Sequence, residues 1–167
     1  ESFKLWLNGT RKNSLPIIGF VGQFVPQKNL DMVVDAWLNL DAKARLLLIG
    51  DGPDRAAIEA KLSKTVSQDL WHITGWRENY LNFVKHIDLF VMPSHYEGLP
   101  LALIEVVGNG VPAIISSFNG AKEIGLRAPW VHILAENSSC SLANLISEKL
   151  IVLEQMKLQG RQGRDEF

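Results

Sequence analysis

Short apolar runs alternate along the chain with stretches whose apolar positions recur at helical spacing. Ile17 to Gly22, Arg45 to Ile49, Trp71 to Thr74, Asp88 to Met92, Pro112 to Ser116 and Trp130 to Leu134 have the length and character of buried strands. Between them, Leu30 to Leu40 puts Leu30, Val33, Val34 and Trp37 on one side of a helix, and Arg55 to Val66, opened by Pro53, sets Ile58 and Leu62 four residues apart. Glu78 to His86, Pro100 to Gly108, Ala121 to Ile124 and Ser141 to Met156 read as further helices. Strands that are apolar throughout are buried on both faces, and parallel strands need helical crossovers. The pattern therefore predicts an α/β fold, a Rossmann-like three-layer sandwich around a parallel sheet of about six strands. In such folds ligands collect beyond the carboxyl ends of the strands.

Composition narrows the class. A chain of 167 residues that is 47% hydrophobic can build one well-cored domain. Its net charge of −1 gives no electrostatic reason to expect a nucleic-acid partner. The single Cys140 excludes an intrachain disulfide framework and is compatible with a reducing compartment. No segment reaches the roughly 20 apolar residues of a membrane span, and no signal peptide is visible. Residues 158–167 form a polar tail that is expected to fray.

The chemistry concentrates where the strand ending at Met92 gives way to a helix. Pro100 suits the first position of that helix, and Gly98 before it lets a ligand approach closely. Free N–H groups at a helix start favour an anion such as a diphosphate. Glu105 lies inside the apolar run from Leu101 to Val107, where a carboxylate without a partner is costly, so it should have a hydrogen-bond donor or a crevice to face. A ribose diol supplies two donors. Asp51 and Asp54 fit a turn ending in a helix cap better than a metal site, and the histidines lack ligand spacing, so no metal is expected. Asp88 reads as a residue that caps or fixes the strand entrance, and His95 as either a pocket residue or an exposed loop histidine.

Glu97, seven residues, Glu105, and then Gly110-Val111-Pro112 before a strand is similar to the signature of the retaining family 4 glycosyltransferases of the GT-B fold. Other stretches agree in order. Val21 to Asn29 resembles the phosphate-binding loop, containing Gly22 and Gln23; Ile49 to Pro53 resembles the next strand end; and Ile73 to Trp76 resembles the loop beneath the base. The resemblance runs from about Pro16 to Leu153.

This resemblance implies that residues 16–157 are the donor-binding half of a two-domain enzyme, entered through a linker in residues 1–15. It assigns the donor ribose to Glu105, the sugar to Glu97, and the diphosphate to Lys28 and the backbone N–H groups of Gly98 and Leu99. Gly75 and Trp76 read the base, with Trp76 either stacking on it or simply packing. Glu97 and Lys28 are the expected catalytic pair. The expected donor is a nucleoside diphosphate sugar of the UDP or GDP type, with no further cofactor. The acceptor, a glycan or lipid-linked acceptor, arrives through the missing N-terminal domain. Transfer without a metal, in the cytoplasm and peripheral to the membrane through that domain, in polysaccharide or cell-envelope glycan synthesis, completes the expectation.

Three positions depart from the family pattern. Gln23 replaces an arginine, which removes one phosphate cation unless Arg11, Lys12 or another basic group is recruited. Asn29 replaces a glycine. Phe118-Asn119-Gly120 carries one glycine where two are usual, and Asn119 would have to tolerate left-handed backbone. The alternatives are a non-catalytic nucleotide-sugar-binding domain, favoured by Gln23, and a subunit that needs a separate acceptor-binding chain. A nucleotide-sugar epimerase fits less well, because the two-glutamate motif belongs to the transferases.

Overall fold

The computed structural model describes residues 1–9, 15–40 and 44–164. Six strands, β1 (Ile17–Val21), β2 (Arg45–Ile49), β3 (Trp71–Ile73), β4 (Leu89–Met92), β5 (Ala113–Ile115) and β6 (Val131–Ile133), form one sheet in the order β3-β2-β1-β4-β5-β6. Every pairing is parallel; β1 and β2 run in register from Ile17 opposite Arg45 to Val21 opposite Ile49. The order reverses direction between β1 and β4, and the crevice above that switch point is where such sheets hold ligands.

Alternation along the strands divides the core in two. Ile18, Phe20, Leu46, Leu48, Leu89, Val91 and Ile114 face one side, covered by α2 (Leu30–Leu38), α3 (Arg55–Thr65) and α7 (Ser139–Ile151). Ile17, Val21, Leu47, Ile49, Phe90, Met92 and Ile115 face the other, covered by α1 (Ser2–Leu7), α4 (Leu81–Val84), α5 (Leu101–Gly108) and α6 (Ala121–Arg127). The expected three-layer sandwich is therefore the observed one, with each strand within a residue or so of its expected bounds.

The ends of the chain differ from expectation. Residues 2–7 of the expected linker form α1, which buries Trp6 against the second core face. The Arg45 guanidinium donates to the carbonyls of Leu7, at 3.3 Å, and Trp6, and so ties down the last turn of α1. Within the rest of the linker, residues 10–14 lie outside the described residues. At the other end the expected final helix is two, α7 and α8 (Leu153–Gly163), so the boundary at residue 157 falls inside α8 and the polar stretch to Gly163 is helical rather than frayed. Its anchor is glycine, which polar patterning does not reveal. A Cβ on Gly160 would stand 2.0 Å from the Gly110 carbonyl oxygen, and one on Gly163 would stand 2.3 Å from the Trp130 ring.

Candidate functional site

The loops after β1 and β4 are laced together by three consecutive residues. Gln27 donates from its side chain to the Tyr96 carbonyl and accepts from the His95 N–H, both at 2.9 Å. The Lys28 ammonium reaches both oxygens of Glu97, at 2.8 and 2.9 Å. Asn29 donates to the Pro93 carbonyl at 3.4 Å. Lys28 closes a short 3-10 turn (Pro26–Lys28), and Asn29 stands between that turn and α2 in the left-handed region, φ 54° and ψ 40°. A residue of that conformation is needed where the family pattern has glycine, and asparagine is among the side chains that accept it most readily.

Glu105 corrects one expectation. It is not buried in the apolar run: α5 turns Leu103, Val106 and Val107 into the core and leaves Leu101, Ile104 and Glu105 on its outer face. The run is apolar on both faces, so composition concealed the helical period. Its carboxylate instead faces a crevice, the second of the two expected possibilities, and has no protein partner among the described residues.

That crevice is a cavity of 430 Å³ at the switch point, lined by Gly22, Gln23, Lys28, Trp76 and Glu105 together with Arg77, Glu78, Tyr80, Leu101 and Ala102. Its floor is backbone. Gly22 donates to the Ile49 carbonyl at 3.0 Å, and a Cβ on Gly50 would stand 1.8 Å from the Gly22 carbonyl oxygen, so only glycine lets the two strand ends meet. Gly75, with φ 72°, bonds Gly50 through its carbonyl at 3.2 Å and carries the chain to Trp76, which is 66% exposed at the rim. Trp76 is thus free to stack and is not core packing.

Other expected site residues lie beside the cavity. Glu97 adjoins it through Lys28, and its own side chain is only 4% exposed. Gly98 and Leu99 are exposed on the loop into α5, outside the lining, and their N–H groups bond nothing in the described residues. Pro100 stands just ahead of α5 rather than in its first position. With φ −80° and ψ 66° it centres a tight turn in which the Leu101 N–H bonds the Leu99 carbonyl at 2.9 Å, and helical bonding starts with Ile104 to Pro100. The helix start therefore offers the N–H groups of Ala102 and Leu103.

Sequence reading missed Arg77, Glu78 and Tyr80. The signal was Arg77 itself, a cation next to the expected base loop in a chain that lacks one at Gln23. No carboxylate pairs with it among the described residues, and its guanidinium lies 5.7 Å from the Phe83 ring centre. Arg11 and Lys12, the recruits considered from sequence, lie outside the described residues.

The remaining candidates are structural. The Asp51 carboxylate is held by Arg55 at 2.7 Å and by the Gly52 N–H at 2.9 Å, and the bond to Arg55 holds its carboxyl below the usual range. Asp54 precedes α3 but makes no side-chain cap bond, and Pro53 lies in the turn before it. Asp88 accepts from the Ile17 N–H at 2.7 Å, as its place at the strand entrance predicts. The left-handed residue ahead of α6 is Gly120, with φ 87°, which relieves Asn119 of that demand. Among the described residues no group of three or more His, Cys, Asp or Glu side chains is placed to hold a metal ion, and no helix is long and apolar enough to cross a membrane.

Residues 15–150 match the family model described as Glycosyl transferases group 1. The UDP-Gal:alpha-D-GlcNAc-diphosphoundecaprenol alpha-1,3-galactosyltransferase of Escherichia coli is 32% identical over 120 residues, 67% of this chain and 30% of that protein. The lipopolysaccharide core biosynthesis glycosyltransferase LpsD of Rhizobium meliloti is 31% identical over 111 residues, 66% of this chain and 32% of that protein. Among solved structures, Anabaena Alr3699/HepE in complex with UDP and glucose superposes with a TM-score of 0.81 at 15% identity, over 97% of this chain and 46% of that one. The chain thus spans about a third of the length of these two sequence relatives.

Proposed function

Since the chain belongs to the glycosyl transferases group 1 family, we propose that it is the donor-binding part of a retaining glycosyltransferase that moves a sugar from a nucleoside diphosphate sugar to an acceptor hydroxyl. The observation that carries this reading is the cavity at the switch point, where Gly22, Gln23, Lys28, Trp76 and Glu105 meet although they are scattered through the sequence. Glu105 accepts from the ribose hydroxyls, Trp76 stacks on the base beside Gly75, and the diphosphate lies over the backbone at Gly22 and the start of α5 against Lys28. Gly98 and Leu99 reach it from the rim. Lys28 and Glu97 are the catalytic pair, Lys28 facing the departing diphosphate and Glu97 the sugar. A fixed cation there lowers the barrier where negative charge develops on the leaving group. Arg77 supplies, from the loop after β3, the positive charge that Gln23 lacks.

The donor-binding unit comprises residues 16–157 together with the rest of α8. The acceptor, a glycan or lipid-linked acceptor, meets the donor across a cleft whose other wall belongs to a second domain, in the cytoplasm at the membrane periphery. Of the two sequence relatives named above, one is by name a lipopolysaccharide core biosynthesis enzyme and the other a galactosyltransferase with UDP-Gal in its name, and the UDP in the HepE complex is of the expected donor class. Transfer needs water excluded and both substrates aligned, so this chain alone should bind nucleotide and transfer negligibly.

Calorimetric titration with UDP, GDP and ADP tests the reading. One of the three should bind selectively, and Glu105→Ala should weaken it by about tenfold or more, the value of losing charge-assisted hydrogen bonds. Failure of the folded chain to bind any of them removes the donor-site reading.

A further inference from the structure

Lys28 lines the cavity; Glu97, its partner, does not. The carboxylate lies behind the ammonium, 4% exposed against 23% for the lysine, and both of its oxygens point at the same nitrogen. A diphosphate entering the cavity therefore meets a cation whose charge is already matched.

We propose that the Lys28–Glu97 ion pair is a resting state that donor binding exchanges: Glu97 holds the ammonium until a donor diphosphate takes it over, and the released carboxylate then receives the hydroxyls of the donor sugar. The inference rests on the nucleotide-sugar reading of this site and deepens it. A nearly buried carboxylate does not give up its cation without a replacement, because an uncompensated buried charge is costly. The loops are fixed around the pair by the bonds from Gln27 and Asn29, so the exchange is a movement of the lysine side chain and leaves the backbone in place. Sugar hydroxyls are donors of the right kind to replace the ammonium. Diphosphate and sugar are consequently coupled, each making the other's binding more favourable, and by linkage the coupling is reciprocal.

The test is calorimetry on the 167-residue chain with UDP, GDP and ADP, their nucleosides, and the UDP- and GDP-sugars. For whichever nucleotide binds, Glu97→Gln should tighten the nucleoside diphosphate by about tenfold, since the lysine no longer has to leave an ionic partner. The nucleoside itself should be unaffected, and the added affinity of the nucleotide sugar over the diphosphate should fall. Adding Lys28→Met to Glu97→Gln should cancel the gain, which a merely structural role for Glu97 would not produce. If Glu97→Gln does not fold, Glu97→Asp, which shortens the reach to Lys28, should show the same tightening. Diphosphate binding that is unchanged or weaker in the folded single variant at Glu97 overturns the exchange while leaving the donor site standing. A folded wild type that binds none of the three nucleotides overturns both.

Discussion

Asn29 shows how much one residue can settle at this site. It holds a left-handed backbone between the turn that carries Lys28 and the start of α2, and its side chain reaches Met32 and Pro93. Asn29→Gly should change stability little, because glycine adopts the conformation freely and only two weak bonds are lost. Asn29→Val should destabilise by about 1–2 kcal/mol, as a branched side chain meets the left-handed strain, and should weaken diphosphate binding with it; paired denaturant melts and titrations separate the two effects. At this scale the sequence was legible where a residue's role depends on its neighbours in the chain, as for Asp88 at the mouth of a strand. It was not legible where the partner is remote: the ion pair of Lys28 with Glu97 spans 69 positions.

Among the elements, strands were easily read because they are short and mostly apolar, with Arg45, His72 and His132 their polar members, whereas α1 carried no signal beyond the aromatic residues in a segment that reads as a linker. Phe3 and Trp6 of that helix lie against the His72 ring on β3, with centroids 5.6 and 5.5 Å away, and Phe3 also meets His86 at 5.5 Å. Burial lowers the affinity of both histidines for protons, and the charges of Arg77 and Arg45 add to this at His72 and that of Lys85 at His86. The unfolded chain, at the ordinary value of 6.5, then binds protons that the folded chain does not. Stability should hold above that value and fall as pH drops through it and through the lowered folded values, with α1 the first element to loosen. Thermal melts between about pH 7.5 and pH 5, followed by tryptophan fluorescence, check the sign, and His72→Gln should flatten the decline.

For the molecule as a whole, α8 is part of the fold. Besides the glycine contacts, Lys157 pairs with Asp88 at 2.5 Å, which joins α8 to the entrance of β4 and, through Asp88, to β1. Gly160→Ala should cost about 1–3 kcal/mol, because a methyl group has no room against the Gly110 carbonyl, and a truncation after Lys157 should lower the melting temperature similarly by uncovering Trp130. Polar residues hid this helix from the sequence pattern, since its closest packing uses hydrogen atoms in place of side chains.

The Gly22–Gly50 floor bears on how a ligand would be held. Side chains that grip a ligand surrender rotamers to do so, each at about 0.5–1.5 kcal/mol, whereas two peptide groups locked in a sheet have no such freedom to lose. Contacts made to the floor are therefore entropically inexpensive, and the ordering penalty of binding falls on the side chains of the rim, Arg77 and Trp76 above all. Substitutions that tune affinity without disturbing the fold belong there, among the rim's side chains above the backbone floor.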